Sequence, residues 1–153
     1  MKESTKGNIY NASERTVREL YADYVSGPAS TLVCALSNHP LGAAAREAVE
    51  KSMAALGYGS AVTFATLSVD DIALSVQDLF VLVEGIDPIA VIATDEMSAH
   101  ALSKAHRGEI RPDAAGRLFG RDVVAFRNLE GMLDTPDKKQ RAWQLFKKLP
   151  KLK

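Results

Sequence analysis

The chain has 153 residues, 46% of them apolar and 25% charged, with 19 Lys and Arg balanced by 19 Asp and Glu. That length suits one domain whose core needs no metal or disulfide staple, and the neutral balance argues against a generic nucleic-acid coat protein. The single cysteine, Cys34, excludes an internal disulfide and any all-cysteine metal or iron–sulfur site within one chain.

No apolar run approaches the ~20 residues of a membrane span, and no apolar leader follows the charged start, so a cytoplasmic location is expected. Residues 1–12 are polar and read as a flexible terminus. Over residues 13–25, Val17, Leu20, Tyr21, Tyr24 and Val25 recur at helical spacing behind Ser13 as N-cap, and Ser26-Gly27-Pro28 stops them. The apolar run 31–36 predicts the first core strand, followed by the turn Ser37-Asn38-His39-Pro40-Leu41-Gly42. Ala45, Ala48, Val49, Ser52, Met53 and Leu56 then form one helical stripe closed by Gly57. Residues 61–67 read as the second strand. Asp70 is placed to cap a helix through Ile72, Val76, Leu79, Phe80 and Val83, with Gly85 as its end.

Residues 87–106 are the centre of the pattern. Ile89 to Ala93 is a short, continuous, β-branched-rich run, as in a strand buried on both faces. The period then changes: Met97, Ala101, Leu102 and Ala105 fall at helical spacing behind Thr94 or Asp95 as N-cap. Residues 107–120 hold three glycines and a proline with no clear period, which predicts a long loop. A short fourth strand follows at 122–126, free to pair either way at an edge. Thr135-Pro136 then supplies an N-cap and N1 pair for a terminal helix carrying Ala142, Trp143, Leu145, Phe146 and Leu149. One helix followed by four β-α units predicts an α/β fold, three-layer α/β/α, with a central parallel four-stranded sheet. The expected layout is one domain over residues 13–150 and a basic tail at 151–153.

Four segments, in order, resemble the uracil-DNA glycosylase superfamily, most closely its iron–sulfur-containing bacterial and archaeal branch. The strand and turn ending in Asn38-His39-Pro40-Leu41-Gly42 sit where that branch has a strand and a Gly-Glu-x-Pro-Gly turn. Val62-Thr63-Phe64-Ala65-Thr66 is similar to its Ile-Thr-Asn-Val-Val strand. The third segment, Ile86-Asp87-Pro88-Ile89-Ala90-Val91-Ile92-Ala93 with Ala99 and Leu102, is similar to its Pro-containing strand and helix. In the closing block, Met132-Leu133, Pro136, Lys139 and Trp143 fall where the family has Leu-Leu-Arg-x-Pro, Lys and Trp. The resemblance implies a domain that takes a base extruded from DNA, single-stranded or flipped, into a pocket and hydrolyses its glycosidic bond.

The departures fall on the working groups. Asn128, followed by Leu129 and Glu130, stands where the family's closing histidine stabilises the departing base. Phe64 stands in the slot of the base-reading asparagine, and Thr94-Asp95 replaces the Leu-Gly of the central turn. The cluster cysteines of the first turn are missing. These positions, with Asn38, form the expected base pocket: Asn38, Phe64, Thr94 and Asp95. His39, just before the turn proline, is the candidate general base and Asn128 the opposing donor. His39 and Asn38 also read as ordinary turn residues, and Asp95 with Glu96 as first-turn acids complementing a helix dipole.

The basic stretches suggest phosphate contacts at Arg107, Arg111 and Arg127, against the alternative of a solvated helix face and tail. The three histidines share no short spacing on one face, so no metal is expected. No cofactor is expected either, since no phosphate-cradling glycine loop occurs, and without a Gly-x-Ser-x-Gly serine nucleophile chemistry finds no support. The sequence thus favours a glycosylase-like domain without the family's chemistry but with a weak basic DNA-facing rim over two rivals: a plain interaction module, and an active enzyme rebuilt on His39 and Asn128.

Overall fold

Side chains alternate across each buried strand, and in the computed structural model, which describes residues 14–152, each set meets its own layer of helices. The elements are α1 (Glu14–Leu20), β1 (Val25–Ser26), β2 (Val33–Ser37), α2 (Ala43–Ala55), β3 (Thr63–Thr66), β4 (Ser68–Val69), β5 (Ile72–Ala73), α3 (Val76–Ile86), β6 (Ala90–Ala93), α4 (Glu96–His106), β7 (Ala114–Leu118), β8 (Arg121–Ala125), a 3-10 turn (Glu130–Met132) and α5 (Pro136–Phe146). The polar start, the Ser13 cap and the last residue of the basic tail lie outside the described residues.

Cys34, Leu36, Ala65, Val91, Ala93, Val123 and Ala125 face one core with α1, α3 and α4. Val33, Ala35, Phe64, Ile92, Val124 and Phe126 face the other, with α2 and α5. The sheet has six strands rather than the expected four and is mixed, in the order β1-β3-β2-β6-β8-β7. Strands β3, β2, β6 and β8 are parallel neighbours. Antiparallel β1 and β7 lie at the two edges, so β8 is an interior strand.

Four local expectations are corrected. Val25 pairs with Ala65 instead of continuing α1, which stops at Leu20. Asp70 does not cap a helix: Asp70 and Asp71, at φ 51° and 64°, make the two-residue turn of the β4–β5 hairpin. Paired left-handed residues match the twist of such a hairpin, and aspartate tolerates them. The cap of α3 is Ser75, whose side chain accepts from the Asp78 amide at 3.0 Å. Gly85 lies inside α3, and a Cβ there would stand 2.1 Å from Val17 Cγ2, so the glycine serves the close approach of α1. Residues 107–120 are not all loop, because they contain β7.

The chain runs from β2 outward to β3 and then crosses back to β6 on β2's other side. Strand order therefore reverses between β2 and β6. In open α/β sheets the crevice outside the carboxyl ends at such a reversal is where ligands sit. No helix among the described residues is long and apolar enough to cross a membrane.

Candidate functional site

Three turns leave the carboxyl ends of β2, β6 and β8 and enclose a cleft of about 320 Å³. It is lined by Asn38, His39 and Leu41 from the first turn, Thr94 to Met97 from the second, and Arg127, Asn128 and Glu130 from the third. The structure therefore brings together six of the residues singled out above: Asn38, His39, Thr94, Asp95, Arg127 and Asn128.

Asp95 organises the three turns. Its backbone is extended and its side chain caps α4, with Oδ1 accepting from the Ser98 amide at 2.7 Å. Ser98 Oγ accepts from the Asp95 amide at 3.3 Å, completing a capping box. The second oxygen, Oδ2, accepts from the Asn38 amide at 2.8 Å and ties the first turn to the second. The third turn lies alongside: the Glu96 amide donates to Arg127 O at 3.0 Å and the Leu129 amide to Thr94 O at 2.9 Å. Glu130 reaches across the cleft, its Oε2 accepting from the Gly42 amide at 2.8 Å at the start of α2.

Most polar side-chain atoms here are already engaged. The buried Thr94 hydroxyl donates to Leu36 O at 2.9 Å. Asn128 Oδ1 accepts from the Gly131 amide of the 3-10 turn at 3.2 Å, leaving Nδ2 as its spare donor. Asn38 Nδ2 lies 3.2 Å from His39 Nε2, an arrangement that suits the tautomer protonated at Nδ1. Arg127 pairs with Glu96 at 3.3 Å on the open surface. Asp95, Glu96 and Glu130 oppose Arg127, so carboxylates outnumber cations in the cleft.

Phe64 is corrected out of the pocket. It pairs with Ala35, two residues inside the carboxyl end marked by Ser37 and Thr66. Its ring is buried on the α2 side, with the Arg46 guanidinium 4.3 Å from its centroid. Arg107 and Arg111 also lie outside the cleft. Arg107 is the left-handed C-cap of α4, at the opposite end of that helix from Asp95, and Arg111 pairs with Glu109 at 3.0 Å. Met97, read above as part of the α4 core stripe, is instead 62% exposed and lines the cleft. Its position two residues after the N-cap was the available signal. Among the described residues no group of three His, Cys, Asp or Glu side chains stands ready to hold a metal ion.

Asp95→Ala removes the α4 cap and the link to Asn38 together. The expected loss of unfolding free energy is about 2 kcal/mol, from a cap and a charge-assisted hydrogen bond. Urea unfolding checks this, with Asp95→Asn as the milder comparison. A loss under about 0.5 kcal/mol, the bottom of the range for a lost cap, would show that Asp95 does not hold the turns together.

No family model matches the chain, and no curated protein is significantly similar to it.

Proposed function

We propose that this chain is a divergent uracil-DNA-glycosylase-like domain that holds a base of single-stranded nucleic acid without cutting it from its sugar. The observation that carries the reading is that the three turns named by the resemblance converge on one cleft while most of their polar atoms are spent on the fold. Convergence at the reversal between β2 and β6 supports binding. Engagement of the side chains argues against hydrolysis.

Breaking a glycosidic bond puts negative charge on the departing base, and a catalyst must meet that charge with a preorganised donor. The cleft offers the uncharged Asn128 amide and Arg127, whose charge is paired with Glu96, and sets Asp95, Glu96 and Glu130 around them. That field favours a neutral heterocycle over an anionic one. His39 has Nε2 within reach of Asn38, so an attacking water would have to displace that contact to use it.

One observation favours a second reading, an active hydrolase: His39 and Asn128 do share the cleft. The deciding experiment incubates the chain with a labelled single-stranded oligonucleotide containing one uracil. Retention is followed by fluorescence anisotropy, and alkaline cleavage reveals abasic sites. Binding with no abasic product is the expected result. Product that disappears in His39→Ala would establish the second reading, and absence of binding at low salt would leave an interaction module instead.

A further inference from the structure

The ridge formed by Arg127 and Asn128 has a second opening on its other side. A groove of about 450 Å³ runs between the 3-10 turn and α5, floored by Met132 and Leu145 and edged by Arg127, Lys138, Arg141 and Asp113. Its charge is the reverse of the cleft's: three cations face one acid here, whereas one cation faces three acids there. The two openings share Arg127 and Asn128, so one extended ligand can lie across both.

We infer that this groove seats the phosphodiester backbone of a single strand whose base enters the cleft, an inference that rests on the reading above. The acids of the cleft repel phosphate, so a strand that presents a base there must carry its backbone elsewhere. The neighbouring groove supplies the matching charge. The existing ion pairs do not stand in the way. Lys138 pairs with Asp134 at 3.4 Å, and Arg127 with Glu96 at 3.3 Å and with Asp113 at 3.9 Å, all on the open surface. Exposed pairs of this kind are worth at most about 1 kcal/mol, so both cations can turn to a phosphate at small cost. Arg141 is exposed and makes no ion pair among the described residues. The Met132 and Leu145 side chains give the sugar and a neighbouring base an apolar, adaptable surface. This assignment moves the phosphate contacts from Arg107 and Arg111, which lie outside both openings, to α5.

The test measures anisotropy of a labelled oligothymidylate over a salt series for three proteins: the unaltered chain, Lys138→Glu with Arg141→Glu, and Arg107→Glu with Arg111→Glu. Both pairs exchange two exposed cations for two carboxylates, so they alter net charge equally, and thermal melting followed by circular dichroism confirms folding. The α5 pair is expected to weaken binding at least about tenfold and to lower the salt slope by about 1.4, two lost contacts at ~0.7 each on a single strand. The Arg107 and Arg111 pair is expected to stay within about twofold, as a bulk charge effect outside the contact zone. Equal weakening by both pairs, or none by the α5 pair, overturns the inference while leaving base binding intact. Competition by poly-glutamate as effective as that by unlabelled oligonucleotide also overturns it, since the groove would then suit an acidic peptide. An unaltered chain that binds no oligonucleotide overturns this inference and the functional reading together.

Discussion

Phe126→Ala is expected to lower the unfolding free energy by about 3–5 kcal/mol, the range for emptying a fully buried aromatic site. Phe126 is fully buried, and its ring centroid lies 4.8 Å from that of Phe146 on α5. Its amide donates to Ala93 O at 2.8 Å, prolonging the β6–β8 ladder by one rung. The residue thus anchors α5 to the sheet immediately before the Arg127–Asn128 ridge. Truncation leaves a cavity under both openings, and the backbone hydrogen bond keeps the surroundings from closing over it. At roughly 2–4 °C per kcal/mol for a chain of this size, the melting temperature should fall by about 10 °C. Urea unfolding should show a lower midpoint with an unchanged slope. Phe126→Leu, which keeps most of the volume, should lose less than half as much. An alanine variant losing under about 1.5 kcal/mol would mean that α5 is not held to the sheet by this ring.

Arg121→Ala is the second large effect. Arg121 is buried at the amino end of β8, where Nε donates to Pro88 O at 2.7 Å, Nη1 to Glu84 Oε2 at 2.6 Å and Nη2 to Asp87 Oδ1 at 2.7 Å. One guanidinium therefore ties the first residue of β8 to the end of α3. Glu84 also meets His106 Nε2 at 3.2 Å beneath the rings of Phe80 and Phe119. Burial holds the His106 imidazole below the ordinary histidine range, with Glu84 opposing that shift. Its Nδ1 makes no hydrogen bond of good geometry, although the Leu102 carbonyl one turn back also favours the protonated ring.

Removing the arginine leaves the Glu84 carboxylate with His106 as its remaining side-chain partner. Breaking a buried pair from one side costs about 3–5 kcal/mol. The lower end, about 3 kcal/mol, is expected here because the Glu84 side chain retains 20% exposure and that of Asp87 is 79% exposed. The partner variant settles the cause. Glu84→Gln combined with Arg121→Met removes both charges and keeps an acceptor for His106, and should recover at least half of the loss. A double variant no more stable than Arg121→Ala would show that the Pro88 contact and packing, rather than the unpaired carboxylate, carry the effect.

What was legible in the sequence was local. The β6–α4 junction announces itself because a buried run and a capping residue lie side by side, and of the two expected caps, Thr94 and Asp95, it is Asp95 that caps α4. Thr135-Pro136 marks the start of α5 for the same reason. Asn38, His39, Thr94, Asp95 and Asn128 were grouped by the resemblance; each follows a strand, and strand ends of a parallel layer share one edge. The errors were all decided by distant partners. The strand β7, with the sequence Ala-Ala-Gly-Arg-Leu, has little strand character of its own and exists by pairing with β8. Gly85 looks like a helix stop until Val17 is seen against it. Ser75 and Asp70 are both good caps, and the choice between them rests on the β4–β5 hairpin. Whether Phe64 reaches the mouth of the cleft depends on its register against Ala35, which no local pattern reveals. His106 suits a helix end, and only the approach of Phe80, Glu84 and Phe119 makes it a core residue.

The most direct test of a base in the cleft is a titration of isotope-labelled protein with a uracil-containing single strand, followed by amide proton–nitrogen correlation spectra. The account predicts shifts concentrated at Asn38, His39, Thr94, Asp95 and Asn128, saturating together. Saturating shifts confined to other faces of the molecule, with these five amides unmoved, would contradict it.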